Sequence, residues 1–179
     1  MINFEAEKSE FYELNKAFCE SIDSNLKSVN ASLKGYCNSF GYEIESDFEL
    51  NNLHVNLKLF KNQTTQNGVI IPKDAVDQSG TQIHVNGLNK NQFIKIGQSV
   101  LKRIFTSSEN KVNFPKPYFI NHNEAITADT IKLLAGFILN HKISKLVLFN
   151  GTLHIEMHYA LKDPTGFVNE MLQLMSEID

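Results

Sequence analysis

The chain has 179 residues, 42% of them hydrophobic and 21% charged, enough apolar side chains for one buried core and too many for a disordered tail. Two cysteines exclude a disulfide-built secreted scaffold, and a formal net charge of -3 gives no overall pull toward an anionic or cationic partner. Arg103 is the only arginine among 17 basic residues, which removes most of the bidentate chemistry used to read phosphates and bases.

Charge is uneven along the chain. Residues 1–49 carry ten acids against four lysines, residues 50–117 nine bases against three acids, and residues 118–179 seven acids against four lysines. The basic middle is expected to face the acidic amino-terminal helix of its own chain. An anion or nucleic acid held by Lys90, Lys95, Lys102 and Arg103 is the weaker alternative. The amino terminus lacks a basic segment followed by an apolar run, and the longest strongly apolar stretch, residues 133–139, is too short to span a bilayer. A cytoplasmic protein with reduced cysteines and no membrane partner is expected.

In chain order, residues 5–34 contain no proline or glycine. Phe11, Leu14, Phe18, Ile22, Leu26, Val29 and Leu33 recur at helical spacing, which predicts one long helix stopped at Gly35. Its stripe covers either the protein's own sheet or a second copy of the chain. Tyr42, Ile44, Phe48 and Leu50 then alternate, Asn51 and Asn52 make a turn, and Leu53, Val55, Leu57 and Leu59 alternate on the other parity, so two paired strands are predicted. Residues 61–68 read as a polar loop, and residues 69–71 as a short strand ended by Pro72. Residues 81–86 form a strand with Ile83 and Val85 inward, and Asn86-Gly87 turns the chain toward a strand at residues 93–96. Together these segments suggest an antiparallel meander.

Residues 97–105 read as a short helix capped by Ser99, residues 107–117 as a proline-ended loop, and residues 118–120 as a short strand. Thr127 caps a helix reaching about Asn140, with Ile131, Leu134, Ala135 and Ile138 on its apolar face. Asn150-Gly151, set between the alternating runs 145–149 and 152–161, is the sharpest local signal and predicts a type I′ hairpin. Asp163-Pro164 breaks the second strand, and Phe167, Val168, Met171, Leu172 and Met175 define a terminal helix. The fold class is therefore α+β, an antiparallel sheet of about five to seven strands packed against helices, as one domain over residues 1–179. Residues 1–34 are the long amino-terminal helix, with the character of a semi-independent arm.

The familiar catalytic signatures are missing. There is no glycine-rich phosphate loop, dinucleotide fingerprint, paired Cys-x-x-Cys or His-Glu-x-x-His. Residues 96–100 hold half of a nucleophile elbow but lack its second glycine, so Ser99 is better explained as a cap. Cys19 and Cys37 have no nearby basic cluster to hold a thiolate and read as structural. The 18 aromatic side chains, 13 Phe and 5 Tyr, fall mostly on apolar faces and read as core before any base-stacking platform.

One constellation carries chemistry. His154, Glu156 and His158 share the polar face of the second hairpin strand, and two imidazoles with a carboxylate suit zinc or ferrous iron. Side chains at i and i+4 on a strand lie about 13 Å apart, so the trio needs a bend to reach one ion. His54 or His84, on the polar faces of their own strands, would strengthen the set by converging on the same patch.

Phe114–Phe119, the helix entry Glu124-Ala125-Ile126-Thr127 and residues 145–159 make the carboxy-terminal half resemble an uncharacterised bacterial family of unknown function. That resemblance implies a membrane-tethered protein and supplies no catalytic residue. The residues themselves favour a non-enzymatic interaction or accessory module with no cofactor, meeting a protein partner or a second copy through the amino-terminal helix or a sheet face. A metal-binding protein or metal-dependent enzyme using His154, Glu156 and His158 is the alternative.

Overall fold

Alternation of apolar and polar side chains drives the long strands of this chain. In the computed structural model, residues 1–5, 9–62, 65–66, 69–70, 78–98, 114–122 and 126–178 are described. The elements are β1 (Ile2–Phe4), α1 (Glu10–Lys27), β2 (Ser32–Asn38), β3 (Gly41–Leu50), β4 (Leu53–Asn62), β5 (Thr65–Gln66), β6 (Val69–Ile70), β7 (Gln78–Asn86), β8 (Ile94–Gln98), β9 (Tyr118–His122), α2 (Ala128–Asn140), β10 (Ile143–Phe149), β11 (Thr152–Met157) and α3 (Pro164–Glu177). Nine strands form one sheet in the order β1-β2-β3-β4-β7-β11-β10-β8-β9, and β5 and β6 make a separate pair. β1 runs parallel to β2, and all other neighbours are antiparallel.

The α+β class stands, and the sheet is wider than the five to seven strands expected. Residues 32–38 alternate too weakly to read as a strand, because Leu33 sits in phase with the helix stripe and Gly35 resembles a stop. Pairing decides the matter: β2 lies against β3 from Ser32 opposite Asp47 to Asn38 opposite Gly41. The long helix over residues 1–34 is accordingly corrected to 18 residues, Glu10–Lys27. Ser9 caps its start by accepting from the Tyr12 N–H at 3.0 Å, and Asn30 at φ 52° turns the chain out of it.

The expected meander is interrupted as well. β2, β3, β4 and β7 follow one another across the sheet, but β8 does not pair with β7, because the β10–β11 hairpin lies between them. Both tight turns are of the expected kind. Asn51 and Asn52 have φ of 52° and 63°, and Asn150 and Gly151 48° and 72°, the positive values a type I′ loop needs. Residues 61 and 62 belong to β4 rather than to a loop, and Gly97 and Gln98 end β8 rather than opening a helix. The remainder of that predicted helix, with Ser99, Lys102 and Arg103, lies outside the described residues, as do Asn67, Gly68 and Pro72.

One face of the sheet is the core. Ile44, Val55, Leu57, Leu59, Ile83, Val85, Ile96, Leu146, Leu148, Leu153 and Ile155 share that face through the strand register and are fully buried with Cys19, Ile22 and Leu26 of α1, Leu134 and Ile138 of α2, and Val168 and Met171 of α3. All three described helices therefore lie on the same side. At roughly 25 cal/mol per Å² of apolar area, each fully buried Leu or Ile contributes about 1.5–3 kcal/mol. The stripe of α1 is spent on the protein's own sheet, on β2, β3 and the flank of α3. Phe11 and Leu14 fall just off the buried line and stay exposed.

Candidate functional site

The opposite parity of the same strands makes the other face, and no helix covers it among the described residues. On β7, Gln82, His84 and Asn86 stand beside Glu156, His154 and Thr152 of β11, and Glu156 and His154 stand in turn beside Lys145 and Val147 of β10. These polar positions arise directly from the strand period: the neighbours Ile83, Val85, Leu153 and Ile155 must point inward, so every second residue points out.

Four of these side chains form a continuous chain of contacts. Lys145 Nζ donates to Glu156 Oε1 at 2.6 Å, and His154 Nε2 lies 2.6 Å from the same oxygen. Nδ1 of His154 lies 3.0 Å from Nε2 and 3.3 Å from Nδ1 of His84, with ring centroids 4.2 Å apart. Burial pushes the Glu156 carboxyl upward, but hydrogen bonds from His154 and Lys145, reinforced by their charge, outweigh it and hold the group below its ordinary range. An ionised carboxylate can only accept, so Nε2 of His154 carries a proton and donates to Glu156, while Nδ1 faces His84. His84 is held below its ordinary value, first by burial and then by repulsion from a charged His154.

A pocket of about 530 Å³ opens beside this chain, lined among others by Lys95, Gln98, Phe119, Lys145, Glu156 and His158. A second hollow of about 740 Å³ shares Gln98 and His158 and adds Lys142 and Tyr159. The floor is shaped by an irregularity in β10 between Ile143 and Lys145, where Ser144 turns its hydroxyl to the Glu156 carbonyl at 2.7 Å. Glu156, the acid among these side chains, forms a neutral pair with Lys145, so the net positive charge comes from Lys95 in the pocket and Lys142 in the neighbouring hollow.

His154 and Glu156 are thus brought together, and His158 lies one residue beyond β11, exposed and facing the pocket. No group of three or more His, Cys, Asp or Glu side chains is placed to hold an ion among the described residues. His84 does converge on His154, whereas His54 sits on β4 near Asp47, Nε2 to Oδ1 3.7 Å. Lys58 of the basic middle pairs with acids of β3 and not with the helix acids expected, its ammonium lying 3.0 Å from Glu43 and 3.3 Å from Glu45. Lys90 is used at the carboxy terminus, on the Ile178 carbonyl. Cys19 and Cys37 meet inside the core, and burial, followed for Cys19 by the neighbouring thiol, pushes both upward, which keeps them protonated.

Sequence reasoning missed Lys145, although its place was available: an Asn-Gly two-residue turn sets Phe149 opposite Thr152, and counting back four residues on each strand sets Lys145 opposite Glu156. Comparison with known proteins gives no match to a family model, a curated protein or a solved structure. The resemblance of the carboxy-terminal half to an uncharacterised bacterial family is accordingly carried no further.

Proposed function

We propose that the protein is a non-enzymatic binding module whose contact surface is the open sheet face around β8, β10 and β11, and whose partner presents an acidic polypeptide segment. The observation that carries this reading is the one-sided layering: every described helix packs on one side, leaving on the other a polar sheet face with a basic pocket at one end. Lys95 and Lys142 supply the net charge, Lys145 and His158 further polar groups, and Phe119 an apolar wall. Charge of this kind steers encounter and fixes orientation more than it supplies affinity. The reading moves the contact away from α1, whose stripe is already covered.

The test uses the full chain labelled with 15N and titrated with an oligo-glutamate peptide and, separately, an oligo-lysine peptide. Oligo-glutamate is expected to shift the amide signals of Lys95, Gln98, Lys145 and His158, to lose its effect as salt is raised, and to be weakened by Lys95→Glu. Shifts confined to α2 and α3, or equal shifts with oligo-lysine, would overturn it.

A further inference from the structure

The open face holds two imidazoles at ligand spacing. His84 and His154 are directly opposite in the β7–β11 register, and Nδ1 of His154 lies 3.0 and 3.3 Å from the two nitrogens of His84. Two imidazole nitrogens bound to one ion at about 2.1 Å lie about 3.0 Å apart at neighbouring octahedral corners and about 3.4 Å apart at tetrahedral ones. Because both nitrogens of His84 lie near the same atom, rotation of its ring about the Cβ–Cγ bond can present either one.

The proton arrangement fits as well. Glu156 accepts from His154 Nε2, which makes Nδ1, turned toward His84, the nitrogen that can bind an ion, the order in which an outer carboxylate orients a metal-bound imidazole and raises its basicity. Lys145 in turn anchors Glu156 from the far side at 2.6 Å. The side chain of His154 is about one-fifth exposed, at 19%, so an ion has access from solvent while the ring is fixed by its neighbours.

We infer that His84 and His154 bind one transition-metal dication of the zinc, copper and nickel group, through Nδ1 of His154 and a ring nitrogen of His84, with water completing the coordination. Glu156 is the positioning residue, and His158 is no ligand. With two protein ligands the ion exchanges freely, so the site fills according to free metal and does not hold the fold together. This inference does not rest on the binding-module reading, since the metal needs no partner and an acidic peptide needs no metal.

Calorimetric titration of the full chain with Ni2+ at pH 7.5 is expected to saturate near one equivalent. His84→Asn and His154→Asn are each expected to weaken binding at least tenfold, Glu156→Gln about tenfold as for other outer-shell partners, and His158→Asn less than twofold. Absence of binding to wild type at millimolar Ni2+, or binding retained in both His84→Asn and His154→Asn, would overturn the inference. A second measurement needs no variant: Cu2+ added below one equivalent should broaden the ring resonances of His84 and His154 before those of His54, His122, His141 and His158. Broadening that begins at any of those four would also overturn it.

Discussion

Burial first, and then the charges of His154 and Lys145, disfavour the protonated form of His84 in the folded protein and outweigh the favourable pull of Glu156. The folded value lies below the ordinary value of 6.5, so the unfolded chain binds the proton more readily. Stability contributed by the neutral ring is therefore complete above about pH 6.5 and declines as pH falls through the lower folded value. Urea midpoints measured at pH 7.5 and pH 5.5 should show this loss, and His84→Asn should flatten it; an equal loss in the variant would place the titration elsewhere. The thiols make a separate prediction. Cys19 and Cys37 are fully buried and both pushed upward, so a thiol reagent at pH 8 should label neither in the native protein and both in denaturant. At this scale the sequence showed which residues share a face, since strand period alone puts His154 and Glu156 together. It could not show His84 beside them, because 70 residues separate the two histidines and nothing local encodes their pairing.

Elements with strong local chemistry were legible. Thr127 caps α2 through the Thr130 N–H at 3.1 Å, and Asp163 caps α3 through the Gly166 N–H at 3.0 Å, where Pro164 begins the helix. The Asn150-Gly151 turn closes the β10–β11 hairpin as its residue types demand. Gly151 has a second constraint: its N–H donates to the Lys90 carbonyl at 2.8 Å and its carbonyl accepts from the Leu88 N–H at 3.0 Å, so the hairpin tip is tied to the strand connection at 88–90. At φ 72°, with the Leu88 carbonyl where a Cβ would lie, Gly151→Ala should cost about 2 kcal/mol or more. Chemical denaturation would check it, and a cost below about 0.5 kcal/mol would mean that the tip relaxes. The end of α1 was not legible, because Val29 and Leu33 continue the helical stripe by coincidence and the backbone pairing of β2 with β3 overrides it.

Across the whole molecule, the charge division seen in the sequence becomes geography. Glu43, Glu45, Asp47 and Glu49 occupy one strand of the open face, and Lys95 and Lys145 lie across the sheet from them. The core on the other side is shared, since α1 covers β2 and β3 while α2 and α3 complete the same cluster. Deleting residues 1–31 would uncover Tyr42, Ile44 and Phe48, which are buried in the intact chain. The truncated chain should lose cooperative unfolding as followed by near-ultraviolet dichroism; a cooperative transition within about 1 kcal/mol of the full chain would make α1 a dispensable arm. Sheet order was the least legible property, because each antiparallel strand specifies its faces and leaves its neighbour open. The insertion of β10–β11 between β7 and β8 also has a consequence for synthesis on the ribosome. β7 is complete at Asn86, yet its second neighbour begins 66 residues later at Thr152. At about 5–20 residues per second, the nascent chain carries the exposed hydrogen-bonding edge of β7 for roughly 3–13 s. A strand waiting that long is open to pairing with another chain, so expression yield should depend on chaperone supply and translation speed more than the stability of the finished protein would suggest.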